Sequence, residues 1–309
     1  MRLCLLLLLA ACSKNADPVP QARQARASAE SPPPAHRPTR ESDIPQWASL
    51  DNLDGAPANV TAWKPDTTRA TLAVFSASWC PSCTASALAD RHLAQEHGKD
   101  FQIGVALQEA NDAFARSPYA KALSGVPVWS EASTKKLVDA CHPVAIPSAC
   151  LFEHGKVLWS GGVSEVAAVL EAHRANKLAA FLAQADSNAE AARAVAREAL
   201  SDPAKIPTVV TLMHGAADEQ NSIAWRLVDR DDPSPNAIAL AVALARDAVA
   251  LDGGLDFAHL DTYALALSRA GRDKDAAYVG MRVIAVCDAV HGNCSEERRR
   301  AEQFVAKAP

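Results

Sequence analysis

The sequence predicts a mixed α/β sheet followed by an all-helical repeat region, and three observations carry that prediction. Between Thr71 and His173, short apolar runs of β-forming residues alternate with helix-period stretches and close with a hairpin and a helix. That alternation describes one mixed sheet with helices packed on it. From Asn176 to Pro309, Ala and Leu recur at helical spacing with no strand signal. Within that half, the stretch from Asn221 to Leu251 is echoed from Leu260 onward, an internal repeat at helical period.

The elements follow in order. Thr71-Leu72-Ala73-Val74-Phe75 is a buried strand. Pro81 opens a helix that stops at Gly98. Phe101 to Leu107 is a second strand, and Asn111 caps a helix reaching Leu123 before Gly125 breaks it. Val126 to Trp129 is extended, and Ser133 to Cys141 is a short helix. Ile146 to Phe152 is a strand entered through Pro147. Glu153-His154-Gly155-Lys156 is a hairpin turn and Val157 to Trp159 the returning strand. A helix from Val163 to His173 closes this half.

The first residues carry a different signal. Arg2 is a positive n-region, and Leu3 to Leu9 are an apolar run too short for a lasting membrane span. Leu9-Ala10-Ala11-Cys12 resembles the bacterial lipobox. The resemblance implies removal of residues 1–11, with Cys12 as the lipidated anchor in the membrane. An ordinary signal peptide cut elsewhere is the alternative. Ser13, where an Asp would signal inner-membrane retention, favours the outer membrane, facing the periplasm. Residues 12–45 are a tether: Pro, Ala, Ser and Arg dominate, with too little apolar surface to fold. The net charge is −5 and no basic block lies beyond the tether, so nucleic acid is not implied.

Of the eight cysteines, Cys4 leaves with the signal and Cys12 is lipidated. Six remain in sequence-local pairs: Cys80 with Cys83, Cys141 with Cys150, and Cys287 with Cys294. In an exported protein disulfides persist. The Cys80–Cys83 spacing is open to three readings: a redox couple, half of a zinc site, or a fixed disulfide. Zinc requires further ligands at matching spacing, and Cys141-His142 and Cys287-His291-Cys294 offer no second Cys-x-x-Cys.

Phe75-Ser76-Ala77-Ser78-Trp79-Cys80-Pro81-Ser82-Cys83, followed by Ile146-Pro147-Ser148-Ala149-Cys150-Leu151-Phe152 and its hairpin, resembles the thioredoxin fold. The long middle segment is similar to the TlpA-like branch of exported thiol–disulfide proteins. The likeness spans residues 46–173. It implies a cis Ile146–Pro147 bond set against the cysteines. It also implies Trp79 as an exposed platform, Pro81 beside the reactive sulfur, and backbone groups at Ile146 that pair with an extended client segment.

Cys80 stands at a strand-to-helix junction, where free N–H groups and the helix dipole favour an anion. It is the expected nucleophile, with Cys83 as the resolving thiol. Six residues before Cys80, where many such reductases carry a buried acid, this chain has Val74, so another group or water must take the proton. Cys141 and Cys150 lie outside the family motif and are either a second disulfide or buried thiols. A copper site of Cys80, Cys83 and His142 would resemble copper-handling cousins, which use a wider Cys spacing. No cofactor or metal is expected.

Residues 174–309 form the helical half. Leu260 to Leu267, then Ala270-Gly271-Arg272 and Asp275-Ala276-Ala277, resemble a tetratricopeptide repeat, with a weaker copy from Asn221 to Leu251. Cys287 and Cys294 are expected to staple a helix end to the next helix start. This half is either a groove that delivers clients to Cys80 or a stabilising appendage. The whole then reads as a thiol–disulfide oxidoreductase, its direction open, acting on exported clients with cysteines together with a redox partner protein. The alternative is a scaffold lipoprotein whose sheet half only recognises peptides.

Overall fold

The computed structural model describes residues 44–48, 50, 56–290 and 294–307. The signal, Cys12 and most of the tether lie outside them. Six strands form one sheet: β1 (Val60–Thr61), β2 (Thr71–Ser76), β3 (Gln102–Leu107), β4 (Val128–Trp129), β5 (Ser148–Glu153) and β6 (Lys156–Gly161). Their order is β1-β4-β3-β2-β5-β6. β2 runs parallel to β3 and antiparallel to β5, so the sheet is mixed. All of β2 is buried, which explains its unbroken apolar run: a central strand covered on both faces cannot alternate.

Helix α1 (Pro81–His97) follows β2. The single helix expected from Asn111 to Leu123 is instead two, α2 (Asn111–Ala115) and α3 (Pro118–Ala122). Ser117 caps the second, its side chain accepting from the Ala120 N–H, and Pro118 takes the first helical position. Asn111 is the first residue of α2, and the N-cap is Ala110, with no side-chain capping bond. Then come α4 (Glu131–Cys141), a 3₁₀ turn at Val163–Glu165, and α5 (Val166–Arg174).

Helices alone follow: α6 (Leu178–Ala199), α7 (Ile206–Met213), α8 (Ala217–Val228), α9 (Pro235–Leu251), α10 (Phe257–Arg269), α11 (Asp273–Val290) and α12 (Ser295–Lys307). From α8 to α12 each packs on the next. Gly253, Gly254 and Gly271 make the tight turns between them at positive φ. Among the described residues no helix is long and apolar enough to cross a membrane.

Sheet and helices share one apolar core. It runs from Leu72, Val74 and Leu88 to Leu260, Tyr263 and Val283, all nearly fully buried. α1 joins the halves, packing on α10 and α11 as well as on the sheet. The opposite sheet face has a smaller cluster of Trp63, Phe75, Trp129, Leu137, Cys141 and Cys150 under α4. Residues Trp47 and Ala48, ahead of the sheet, lie on the helices. The Ala48 N–H donates to the Gly253 carbonyl at 2.8 Å, and Arg282 donates to the Ala48 carbonyl at 2.7 Å. Trp47 stacks on Tyr278, with ring centres 6.0 Å apart.

Candidate redox site

β2 ends at Ser76, and four residues later Cys80 is the N-cap of α1, in extended backbone conformation. Its sulfur accepts the Cys83 N–H at 3.1 Å, one of the amides a helix start leaves without an internal partner. Pro81 fixes the first helical position, and Pro81 and Ser82 face solvent. The first turn of α1 carries no acidic residue, so nothing there opposes an anion at Cys80. Trp79 is 66% exposed, against 5% for Cys80 and none for Cys83.

The register of β5 against β2 brings the second motif to the same place. Phe75 pairs with Ser148, so Pro147 falls level with Ser76, the last residue of β2, and Ile146 beyond it. The Ile146–Pro147 bond is cis, and the Ile146 carbonyl lies 3.8 Å from Cys80 Sγ. Trp79, Cys80, Pro81, Cys83, Ile146 and Pro147 are thus gathered at one end of the sheet. Val144, two residues earlier, is 99% exposed.

Each cysteine pair stands within disulfide reach, with Cα–Cα distances of 5.2 Å for Cys80–Cys83, 6.1 Å for Cys141–Cys150 and 6.1 Å for Cys287–Cys294. Cys141 and Cys150, open between a second disulfide and buried thiols, stand at disulfide distance. Cys287 is in α11, Cys294 precedes α12, and both are buried to within a few per cent, as Cys80 is. Burial therefore does not set Cys80–Cys83 apart from Cys287–Cys294. Among the described residues no three His, Cys, Asp or Glu side chains come together as metal ligands, so Cys80, Cys83 and His142 make no such set.

Several nearby groups escaped the sequence reading. Ser78 donates its N–H and its hydroxyl (2.8 Å) to Glu109, which braces the loop before Cys80. Ser76 and Tyr119 share a buried hydroxyl contact at 2.5 Å. Val74 is buried and apolar, but α1 holds a buried carboxyl, Asp90, seven residues after Cys83 on the same helix side. Ser86 lies between them, 3.2 Å from the Cys83 carbonyl and 3.5 Å from Asp90. Burial raises Asp90 to about 7; Ser86 opposes the shift, while Asp256 and Asp218 add to it.

Asp90 lines a cavity of about 260 Å³ between α1 and the helices, together with Asp218, Asp252 and His259; neither Cys80 nor Cys83 reaches it. The buried His259 ring bridges Asp252 at 2.6 Å and Asp218 at 3.2 Å. Burial alone would lower its pKa, but the surrounding carboxylates outweigh it and hold the imidazole charged. A lone acid on a helix gives no periodic signal, so only the packing of α1 on α10 reveals these groups. The chain matches no protein-family model, and no curated protein matches it.

Proposed function

We propose that this chain is a thiol–disulfide oxidoreductase, thioredoxin-like of the TlpA-like branch in its sheet half and tetratricopeptide-like in its helical half. It is anchored through a lipidated Cys12, faces the periplasm from the outer membrane, and acts on exported clients. One observation carries the reading: Cys80 caps α1 through the Cys83 N–H at 3.1 Å while the cis Ile146–Pro147 segment lies against its sulfur. A fixed structural disulfide needs neither feature.

The exchange runs as follows. The Cys80 thiolate attacks a client disulfide; the client S–S bond breaks, a Cys80–client bond forms, and one client sulfur leaves as a thiolate and takes a proton. Deprotonated Cys83 then attacks Cys80 Sγ, the mixed disulfide breaks, and the second client thiolate departs. Two electrons have passed from the cysteine pair to the client. The reverse sequence oxidises a client dithiol, and a partner dithiol or disulfide protein resets the pair. Trp79 and the Ile146 backbone offer the client a flat apolar face and a strand-like edge.

Insulin reduction with dithiothreitol as electron donor tests this reading. Wild-type protein is expected to accelerate insulin precipitation, and Cys80→Ser to abolish the effect. No acceleration by the wild type would leave the scaffold reading in its place.

A further inference from the structure

We propose that the Cys141–Cys150 disulfide is a clamp that positions the Ile146–Pro147 segment against Cys80 for pairing with protein clients. The inference rests on the exchange reading above and assigns its second cysteine pair. Cys141 is the last residue of α4, and Cys150 lies within β5, fully buried between Ala73 of β2 and Ser160 of β6. The disulfide closes a loop of sequence separation nine, and the cis-proline segment lies inside it.

The loop leaves α4 through His142 at φ 48, reaches Val144 at the surface, and returns through Ile146 to β5. Its far end is the carbonyl 3.8 Å from Cys80 Sγ. Ile146 also packs on the apolar cluster that contains Cys141 and Cys150. Ser160 adds a bond to the Cys141 carbonyl at 3.4 Å, tying the helix end to β6. Backbone and side chain of Ile146 are thus both referred to the disulfide.

The clamp is built to stay closed. Cys141 sits at the negative end of α4, which disfavours the thiolate that reduction would release. Cys80 sits at the positive end of α1, where a thiolate is favoured. Two pairs on one sheet therefore divide the work: one cycles, the other holds the edge with which a client pairs. A client peptide that meets a preordered edge loses less conformational freedom on binding than one that must order it. A small thiol has no backbone to pair and gains nothing from the clamp.

The test compares two electron donors in single turnovers of the oxidised protein, quenched in acid and read by mass mapping of alkylated Cys80 and Cys83. One donor is an unstructured peptide dithiol in excess, the other dithiothreitol. In Cys141→Ala/Cys150→Ala, the peptide concentration for half-maximal rate is expected to rise about five- to tenfold, with the limiting rate and the dithiothreitol rate within about twofold of wild type. Two glycines inserted after Val144 lengthen the clamped loop without touching the buried cluster. That variant is expected to show the same split, and it decides the matter if the double variant does not fold. An unchanged peptide dependence in the folded variants overturns the clamp. So does an equal slowing with both donors, which would mark the disulfide as fold-holding only. A wild-type protein reduced by neither donor overturns the exchange reading and the clamp with it, whereas a wild type that reacts with both but matches its variants overturns the clamp alone.

Discussion

Asp90→Asn should make the protein more stable, and increasingly so as pH rises. Asp90 is a buried carboxyl whose pKa burial raises from 3.8 to about 7. In the unfolded chain it ionises near its ordinary value; in the fold it keeps its proton until about neutrality. Between those two values the unfolded state binds fewer protons than the native state, so stability falls as pH increases. The effect is absent below about pH 4 and complete above about pH 7. At 1.36 kcal/mol per unit, the penalty is about 1.5 kcal/mol at pH 5 and at most about 4 kcal/mol at pH 8. Asn copies the shape of the neutral acid and keeps the Ser86 contact without being able to ionise. Asp256 and Asp218, which add to the shift, remain in both proteins, as does the charged His259, so subtracting one from the other isolates Asp90. Urea unfolding of both oxidised proteins at pH 5 and pH 8, followed by far-ultraviolet circular dichroism, measures the difference. The variant's advantage should grow by about 2–3 kcal/mol between the two. An advantage of equal size at both would mean that Asp90 ionises freely inside the fold, and the burial argument would fail.

Alkylation of the reduced protein near neutral pH should modify Cys80 well before Cys83, since Cys80 holds the helix start and Cys83 is fully buried; mass mapping with time reads the order, and Cys83 reacting first reverses the assignment. Mild reductant followed by labelling should mark Cys80 and Cys83 while Cys287 and Cys294 stay protected until denaturant is added; label on the last two in untreated native protein would show free thiols there. Gly254→Ala should release Trp47, because a Cβ there would lie 2.4 Å from the Trp47 ring at a φ of +66. A cost of about 1–3 kcal/mol and earlier proteolysis ahead of β1 are expected, and an unchanged melting temperature with unchanged cleavage would refute it.

Much of the sheet half was legible because its signals are local. A buried run ending in Trp79-Cys80-Pro81, a proline before Ser148, and the turn at His154-Gly155 each announce their element within a few residues. The split of the 111–123 helix was written at Ser117-Pro118, a capping residue and a first-turn proline, but helical composition on both sides hid it. α1 concealed more. It packs on the sheet and also on α10 and α11, so Ser86, Asp90 and Arg91 are buried along with Leu88, and no polar face separates from an apolar one. The Trp47 docking and the Ser78–Glu109 brace join distant parts of the chain and have no periodic trace. That Cys141 comes within disulfide distance of Cys150 has no trace in the sequence and follows from the packing of α4 on the sheet.

Burial does not distinguish the three cysteine pairs, so the division of labour proposed for them rests on the helix ends they occupy. Cys80 and Cys294 each precede a helix, and Cys141 finishes one. A dipole argument alone would make Cys294 as ready a leaving group as Cys80. The first turns differ, however. α1 opens with Pro81, Ser82 and Cys83 and carries no acid, whereas α12 opens with Glu296 and Glu297 beside Cys294. Two carboxylates at that turn, both within ion-pair reach of Arg300, partly offset the positive helix end that would stabilise a thiolate. Cys141 faces the opposite sign of dipole altogether. Of the three pairs only Cys80–Cys83 combines a favourable helix end with an acid-free first turn and an exposed neighbour in Trp79. A carboxylate introduced by Ser82→Asp would set at Cys80 the electrostatics already present at Cys294, and would remove the feature that sets the first pair apart from the third.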